Sequence, residues 1–286
     1  MRLLNYATPD GPSVAGCWDG RWVDLSQADP TLPRSALELL CIGPSIRSDL
    51  AALAARAEPL AQVPSRLLPP VMRPGKILCV GLNYRDHARE TGQPIPDEPL
   101  IFNKLPSSLL GHGEAIVLPE ASHKIDFEAE LVIVIGKRGR HIAPDAAYQY
   151  IAGYCCGNDI SARDWQKEKP GGQWLLGKSF DTFAPLGPWV VSAEEIEDPG
   201  NLDIVCRVNG KTMQNSSTSN LIFPVPQLIG YISRVCTLEP GDLLFTGTPA
   251  GVGVARSPAV FLQSGDRVEV EIERIGVLSN GVVAAE

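Results

Sequence analysis

Three carboxylates decide what chemistry this chain can support. In the segment 126–131, DFEAEL, Glu128 and Glu130 stand at alternate positions with Asp126 in the same phase. The chain continues as Val132-Ile133-Val134-Ile135 and reaches Gly136. A β-branched apolar run of this kind reads as a strand, and residues two apart on a strand share a face. Glu128 and Glu130 therefore converge beside a segment expected to be buried. Carboxylates crowded into a low dielectric repel unless a proton or a cation compensates. Asp159 follows a second apolar run, from Ile151 to Cys156, and adds a third oxygen donor. Hard oxygen donors with no His or Cys beside them favour Mg²⁺ or Mn²⁺, with Ca²⁺ as a further candidate.

The residues after Asp159 extend the pattern. Ser161 reads as an N-cap, with Asp164 at capping-box spacing, for a helix over 162–167. Arg163 and Gln166 share a face of that helix. A cation and an amide beside metal ligands suit an anionic, oxygen-rich substrate. His87 and Glu90 lie three apart on another short helical pattern, over 85–90. A carboxylate on one imidazole nitrogen fixes the tautomer and frees the other as a general base. Spacing alone also describes an exposed His beside a solvated Glu. The following stretch, TGQPIPDEP at 91–99, has the Gly stop and Pro punctuation of a mobile flap.

Strands must position these groups. Strand-like runs fall at 3–6, 13–18, 22–25, 77–80, 100–102, 115–117, 128–135, 151–156, 189–191, 202–208, 243–245, 267–272 and 276–283. Asp19-Gly20 and Asn209-Gly210 are hairpin turns. Helical patterns are fewer, at 35–41, 45–57, 85–90, 145–150, 162–167 and 225–236. The expected class is α+β and β-rich, with a closed or rolled sheet. Pro59, Pro64, Pro69, Pro70 and Pro74 mark an extended connector. They divide a small N-terminal domain, 1–70, from a catalytic domain, 71–286.

Bulk properties exclude several classes. A net charge of −8 argues against a nucleic-acid surface, and no apolar run approaches a membrane span. Residues 1–6, MRLLNY, lack the apolar core of a secretory signal. The seven cysteines are odd in number and scattered, mostly within apolar runs. They read as reduced, buried thiols in a cytoplasmic protein.

The ordered motifs carry a resemblance. KILCVGLNYRDH at 76–87, PLIFNK at 99–104, DFEAEL at 126–131, NDISARDWQ at 158–166, LGKSFDT at 176–182, and FTGTP at 245–249 with Gly251-Val252-Gly253 occur in one sequence. Together they resemble the fumarylacetoacetate hydrolase family over about residues 76–280. The nearest likeness is to the second subgroup of its domain-containing proteins. The resemblance implies a mixed β-roll with the active site at its open end, and a homodimer. It implies that Glu128, Glu130 and Asp159 bind the metal. It further implies that His87 and Glu90 lie on a lid and that Lys178 is an active-site cation. Arg163, Gln166 and Thr248 are implied to bind substrate. Thr182 is implied to support Lys178, and Lys104 to stand near the pocket. In the founding hydrolase the carboxylate partner of the His comes from near the C-terminus, where this chain has Glu271 and Glu273. Glu90 is the partner adopted here.

The expected activity is metal-dependent chemistry on a small 2-oxo or 2,4-dioxo acid through an enolate. C–C hydrolysis of an acylpyruvate or fumarylacetoacetate type is the leading form. Oxaloacetate keto–enol tautomerisation, decarboxylation and hydroxymuconate-type isomerisation use the same site. A non-catalytic, metal-stabilised binding protein is the alternative from another class.

Overall fold

The computed structural model describes residues 1–43 and 45–285. Its largest sheet has eleven strands. The main path runs Arg21–Asp24, Gly11–Trp18, Arg2–Thr8, Ala184–Ser192, Ile151–Asn158, Ala129–Ile135, Leu243–Phe245, Ile77–Gly81 and Leu100–Lys104. All neighbours on that path are antiparallel except Leu243–Phe245 with Ile77–Gly81. A second sheet orders Lys211–Ser217, Asp203–Val208, Arg267–Ile272, Gly276–Ala284 and Ile116–Leu118. The fold is α+β and rich in strand, as the sequence patterns indicate.

The strand Ala129–Ile135 shows why the sheet is two-sided. All seven of its residues are buried. Leu131, Ile133 and Ile135 face a core shared with Ile204, Val270 and Ile272 of the smaller sheet. Val132 and Val134 face a different core, shared with Leu25, Leu39 and Leu50 of the N-terminal helices. A strand covered on both faces reads as a continuous apolar run rather than an alternating one, which is how it appears in the sequence. Burying each such side chain contributes roughly 1.5–3 kcal/mol, so this strand is a rigid platform for whatever stands at its end.

The first residues of the chain belong to that platform. Arg2–Thr8 pairs with Ala184–Ser192, and Asn5 donates to the Pro69 and Pro70 carbonyls. The proposed boundary near residue 70 therefore does not coincide with an end of the sheet.

Two local expectations differ from the structure. Ser161 is not a helix cap. Ser161–Ala162 pairs with Ile125–Asp126, Ala162 takes the N-cap position of the helix Arg163–Glu168, and the Ser161 hydroxyl donates to the Asp159 carbonyl. Tertiary strand pairing overrides the local capping signal. Asp126 is also out of line with the glutamates, because Ile125–Asp126 and Ala129–Ile135 are separate strands in separate sheets. The short helix Trp174–Lys178 and the strand Lys211–Ser217 were not visible as patterns. Among the described residues no helix is long and apolar enough to cross a membrane.

Candidate active site

Strand register assembles the acids. Ala129 lies opposite Asn158 and Glu130 opposite Gly157, so the start of one strand meets the end of its neighbour. One step beyond the last pair, the Asp159 N–H donates to the Glu128 carbonyl at 2.9 Å. The Asn158 side chain accepts the Glu128 N–H at 2.9 Å. Glu128, Glu130 and Asp159 are buried, and each offers an oxygen within 4.8 Å of the others. Among the described residues this is the one group of His, Cys, Asp or Glu so arranged.

Cations surround the triad. Lys178 Nζ donates to Glu128 Oε2 and Asp159 Oδ2, both at 2.7 Å. Lys104 Nζ donates to Asp159 Oδ1 at 2.7 Å and to the Ile160 carbonyl at 3.1 Å. Arg163 reaches Glu128 Oε1 through Nη2 at 2.6 Å, Asp126 Oδ2 through Nε at 2.8 Å and Gln166 Oε1 through Nη1 at 3.0 Å. Asp126 also accepts the backbone N–H groups of Phe127, Gly253 and Val254. Lys178 reaches its place because Gly177 lies flat against the neighbouring helix. A Cβ there would stand 2.7 Å from the Gln166 nitrogen.

Four buried carboxylates, with Asp126 included, face three buried cations, so full ionisation leaves one negative charge. The excess falls on Glu130. Burial first, then Asp159 and Glu128 beside it, push its carboxyl well above the usual range. Burial also opposes the charge on Glu128, but Lys178 and Arg163 outweigh it and hold that carboxyl well below the usual range. Burial pulls Lys104 down, with Asp159 opposing. Burial acts on Lys178 in the same sense, yet Asp159 and Glu128 raise it overall. A hard, all-oxygen donor set with surplus negative charge fits a divalent cation.

A cavity of about 460 Å³ opens onto this cluster. Glu128, Glu130, Lys178, Arg163, Gln166 and Thr248 line one side, and His87 lines it as well. Leu100, Phe102 and Trp174 supply apolar wall. His87 Nδ1 lies 3.3 Å from Glu90 Oε2, and Glu90 Oε1 accepts the Gly251 N–H at 2.9 Å. The adjacent Asp86 accepts from the Ser216 hydroxyl, which ties the helix Arg85–Glu90 to the strand Lys211–Ser217. Glu271 and Glu273 are engaged elsewhere, with Arg207 and the Asp203 N–H. A larger cleft, about 610 Å³ between Asp97, Phe223 and Arg234, lacks the acid cluster.

The structure thus places all nine sequence-derived site residues around one cavity, Asp159 and Glu90 behind its wall. Arg163 lines the cavity, and each of its three guanidinium nitrogens also has a protein acceptor. Thr182 lies outside the short helix that ends at Lys178, and its hydroxyl accepts the Val117 N–H. Residues that sequence reasoning missed are mostly backbone or distant partners. The Gly247 N–H donates to Glu130 Oε2 at 2.7 Å, and Gln214 Nε2 donates to the Thr248 hydroxyl at 2.8 Å. Only the Gly in FTGTP signalled the first, and nothing local signalled the second.

Comparison with known proteins follows the same lines. The sequence model of the fumarylacetoacetate (FAA) hydrolase C-terminal family matches residues 76–283. Oxaloacetate tautomerase FAHD2A, mitochondrial, from Bos taurus is 46% identical over 289 residues, covering 99% of this chain and 92% of that protein. The fumarylacetoacetate hydrolase of the psychrophile Exiguobacterium antarcticum superposes with a TM-score of 0.88 at 36% identity, over 100% of both chains. The maleylpyruvate hydrolase of Sphingobium sp. SYK-6, solved with manganese (II) ion and pyruvate, superposes with a TM-score of 0.81 at 30% identity, over 100% of both. That complex and the acid cluster here support a divalent metal. The cytoplasmic expectation is corrected by these comparisons, since the matching tautomerases of Bos taurus, Xenopus laevis and Homo sapiens are all named as mitochondrial. The cysteines could not have decided it. All seven are free and five are buried, and a thiol shielded by packing stays reduced whatever surrounds the protein.

Proposed function

The chain belongs to the fumarylacetoacetate hydrolase family, and on that premise we propose that it catalyses keto–enol tautomerisation of oxaloacetate with Mg²⁺ or Mn²⁺ held by Glu128, Glu130 and Asp159. The observation that carries this reading is placement. A histidine with a carboxylate on its Nδ1 lines the same cavity as an acid cluster suited to a cation. The names of the relatives that match across almost the whole chain select the tautomerase form among the reactions such a site supports.

When bound, a divalent cation supplies a Lewis acid for the carbonyl and carboxylate oxygens of a 2-oxo acid. The chain's own groups do the rest. Glu90 holds His87 Nδ1 and leaves Nε2 to take the proton from C3 of the keto acid. Return of a proton to the C2 oxygen gives the enol with no C–C bond broken. Lys178 has three N–H donors, two committed to Glu128 and Asp159, and the third is available for developing negative charge. Thr248, held by Gln214, and Gln166, held by Arg163, orient the carboxylate. Leu100, Phe102 and Trp174 exclude water from the reacting carbon.

C–C hydrolysis is the second reading, favoured by the likeness to the Sphingobium enzyme. NMR of oxaloacetate, acetylpyruvate and fumarylpyruvate with the protein and Mg²⁺ separates them. Faster enol–keto equilibration of oxaloacetate without pyruvate formation is expected. Cleavage of the acylpyruvates with no effect on oxaloacetate overturns the proposal in favour of the second reading. The protein is further proposed to act as a homodimer, which sedimentation at micromolar concentration checks.

A further inference from the structure

Every acid of the cluster has one oxygen on a donor other than Lys178. Glu128 Oε1 accepts from Arg163, Glu130 Oε2 from the Gly247 N–H, and Asp159 Oδ1 from Lys104. The second oxygens of Glu128 and Asp159, Oε2 and Oδ2, share Lys178, which lines the cavity where Lys104 does not. Such an arrangement presents three single oxygens and no chelating pair. The distinction matters for metal choice. Ca²⁺ takes six to eight oxygens and readily accepts a carboxylate through both, whereas Mg²⁺ demands a compact octahedron.

We propose that Lys104 is a metal-selecting residue. It pins Asp159 Oδ1, restricts Asp159 to one-oxygen ligation, and so biases the site toward small octahedral cations and against Ca²⁺. This rests on the reading of Glu128, Glu130 and Asp159 as a cation site. Lys104 is the donor of the three that can be tested cleanly. The Gly247 donor is backbone, and Arg163 also holds Asp126 and Gln166. Lys104 is 1% exposed, and among the described residues its ammonium has two hydrogen-bond partners, Asp159 Oδ1 and the Ile160 carbonyl. Lys104 is not among the residues that line the catalytic cavity. A buried lysine is costly to maintain unless paired. Simple charge balance would explain its presence, but charge balance treats all divalent ions alike, and selection does not.

The test is calorimetric. Mn²⁺ and Ca²⁺ dissociation constants are measured for the wild-type protein, Lys104→Met and Lys104→Gln, with the fold of each checked by circular dichroism. Release of Asp159 Oδ1 should shift the ratio of the two constants at least tenfold toward Ca²⁺. An equal weakening of both ions in a folded variant overturns the proposal and leaves Lys104 as charge balance. No divalent binding by the wild type overturns instead the reading of the site. Infrared spectra of the wild type with ¹³C-carboxylate-labelled aspartate give an arm independent of the variants. Asp159 bound to Ca²⁺ or Mn²⁺ through both oxygens in the wild type overturns the proposal.

Discussion

Glu90→Gln is the sharpest probe of the proposed base, because the two Glu90 oxygens have different partners. Oε1 accepts the Gly251 N–H, and Oε2 faces His87 Nδ1 at 3.3 Å. A glutamine has one oxygen and one NH₂ group. Its oxygen must stay on the Gly251 N–H, since an amide nitrogen there would meet donor with donor. The NH₂ group then faces His87 Nδ1 and forces that nitrogen to accept, which moves the ring proton to Nε2. The nitrogen turned toward the substrate carries a hydrogen and cannot take another. Glu90→Gln should therefore fall nearly as far as His87→Ala. A positioned base contributes about 10²–10⁴ in rate, roughly 2.7–5.4 kcal/mol at 1.36 kcal/mol per tenfold. Glu90→Ala removes the carboxylate without imposing the wrong tautomer, so it should be the milder change. It loses hydrogen bonds worth roughly 1 kcal/mol each at a partly solvated rim. The assay is single-turnover deprotonation of oxaloacetate at C3, followed by solvent deuterium exchange, across the three variants. Glu90→Gln faster than Glu90→Ala would refute the tautomer argument.

Two further predictions concern the acids and the pH range. Lys178→Met leaves Glu128 and Asp159 facing one another without their shared cation. Loss of a buried ion-pair partner should cost roughly 3–5 kcal/mol, and millimolar Mg²⁺ should restore most of it, so that thermal melting depends on Mg²⁺ far more than in the wild type. A melting loss that Mg²⁺ does not reverse would count against a cation site between those acids. His112 is partly buried, and its Nδ1 accepts the Ser279 N–H at 3.1 Å. Burial first, with Arg267 adding, lowers its proton affinity in the folded state. The unfolded chain then binds the proton more readily, so stability should fall as pH drops below about 6.5. His112→Asn keeps an acceptor for Ser279 and should flatten that part of the profile in urea titrations. An unchanged slope would assign the acid sensitivity to other groups.

The parts of the site legible in the sequence are those with a local period. Glu128 and Glu130 betray themselves by alternation ahead of a doubly buried strand, and His87 and Glu90 by one helical turn. What the sequence hides is register between segments far apart. Nothing near Asp159 says that it lands opposite Glu128, because that depends on Ala129 pairing with Asn158. Lys104 lies 55 positions from Asp159, and Gln214 lies 34 from Thr248. Such contacts follow from sheet order, which no single segment encodes. Ser161 misleads for the same reason, as a good local cap captured by a distant strand. The order of the strands is likewise invisible from their patterns, although most of the longer strands themselves are apparent, Lys211–Ser217 excepted.

The pairing of Arg2–Thr8 with Ala184–Ser192 separates two meanings of the word domain. The family's sequence model begins at residue 76, yet the sheet that carries the acids does not begin there. A chain started at residue 71 would lose the strands Arg2–Thr8, Gly11–Trp18 and Arg21–Asp24 and the helices that cover Val132 and Val134. It would leave Val190 and Val191 with a bare hydrogen-bonding edge beside a stripped apolar face. Exposed edges of this kind recruit strands from other chains. What the family's sequence model spans is thus smaller than what the sheet joins, and grafting this active site elsewhere requires carrying along the first seventy residues that contain none of its chemistry.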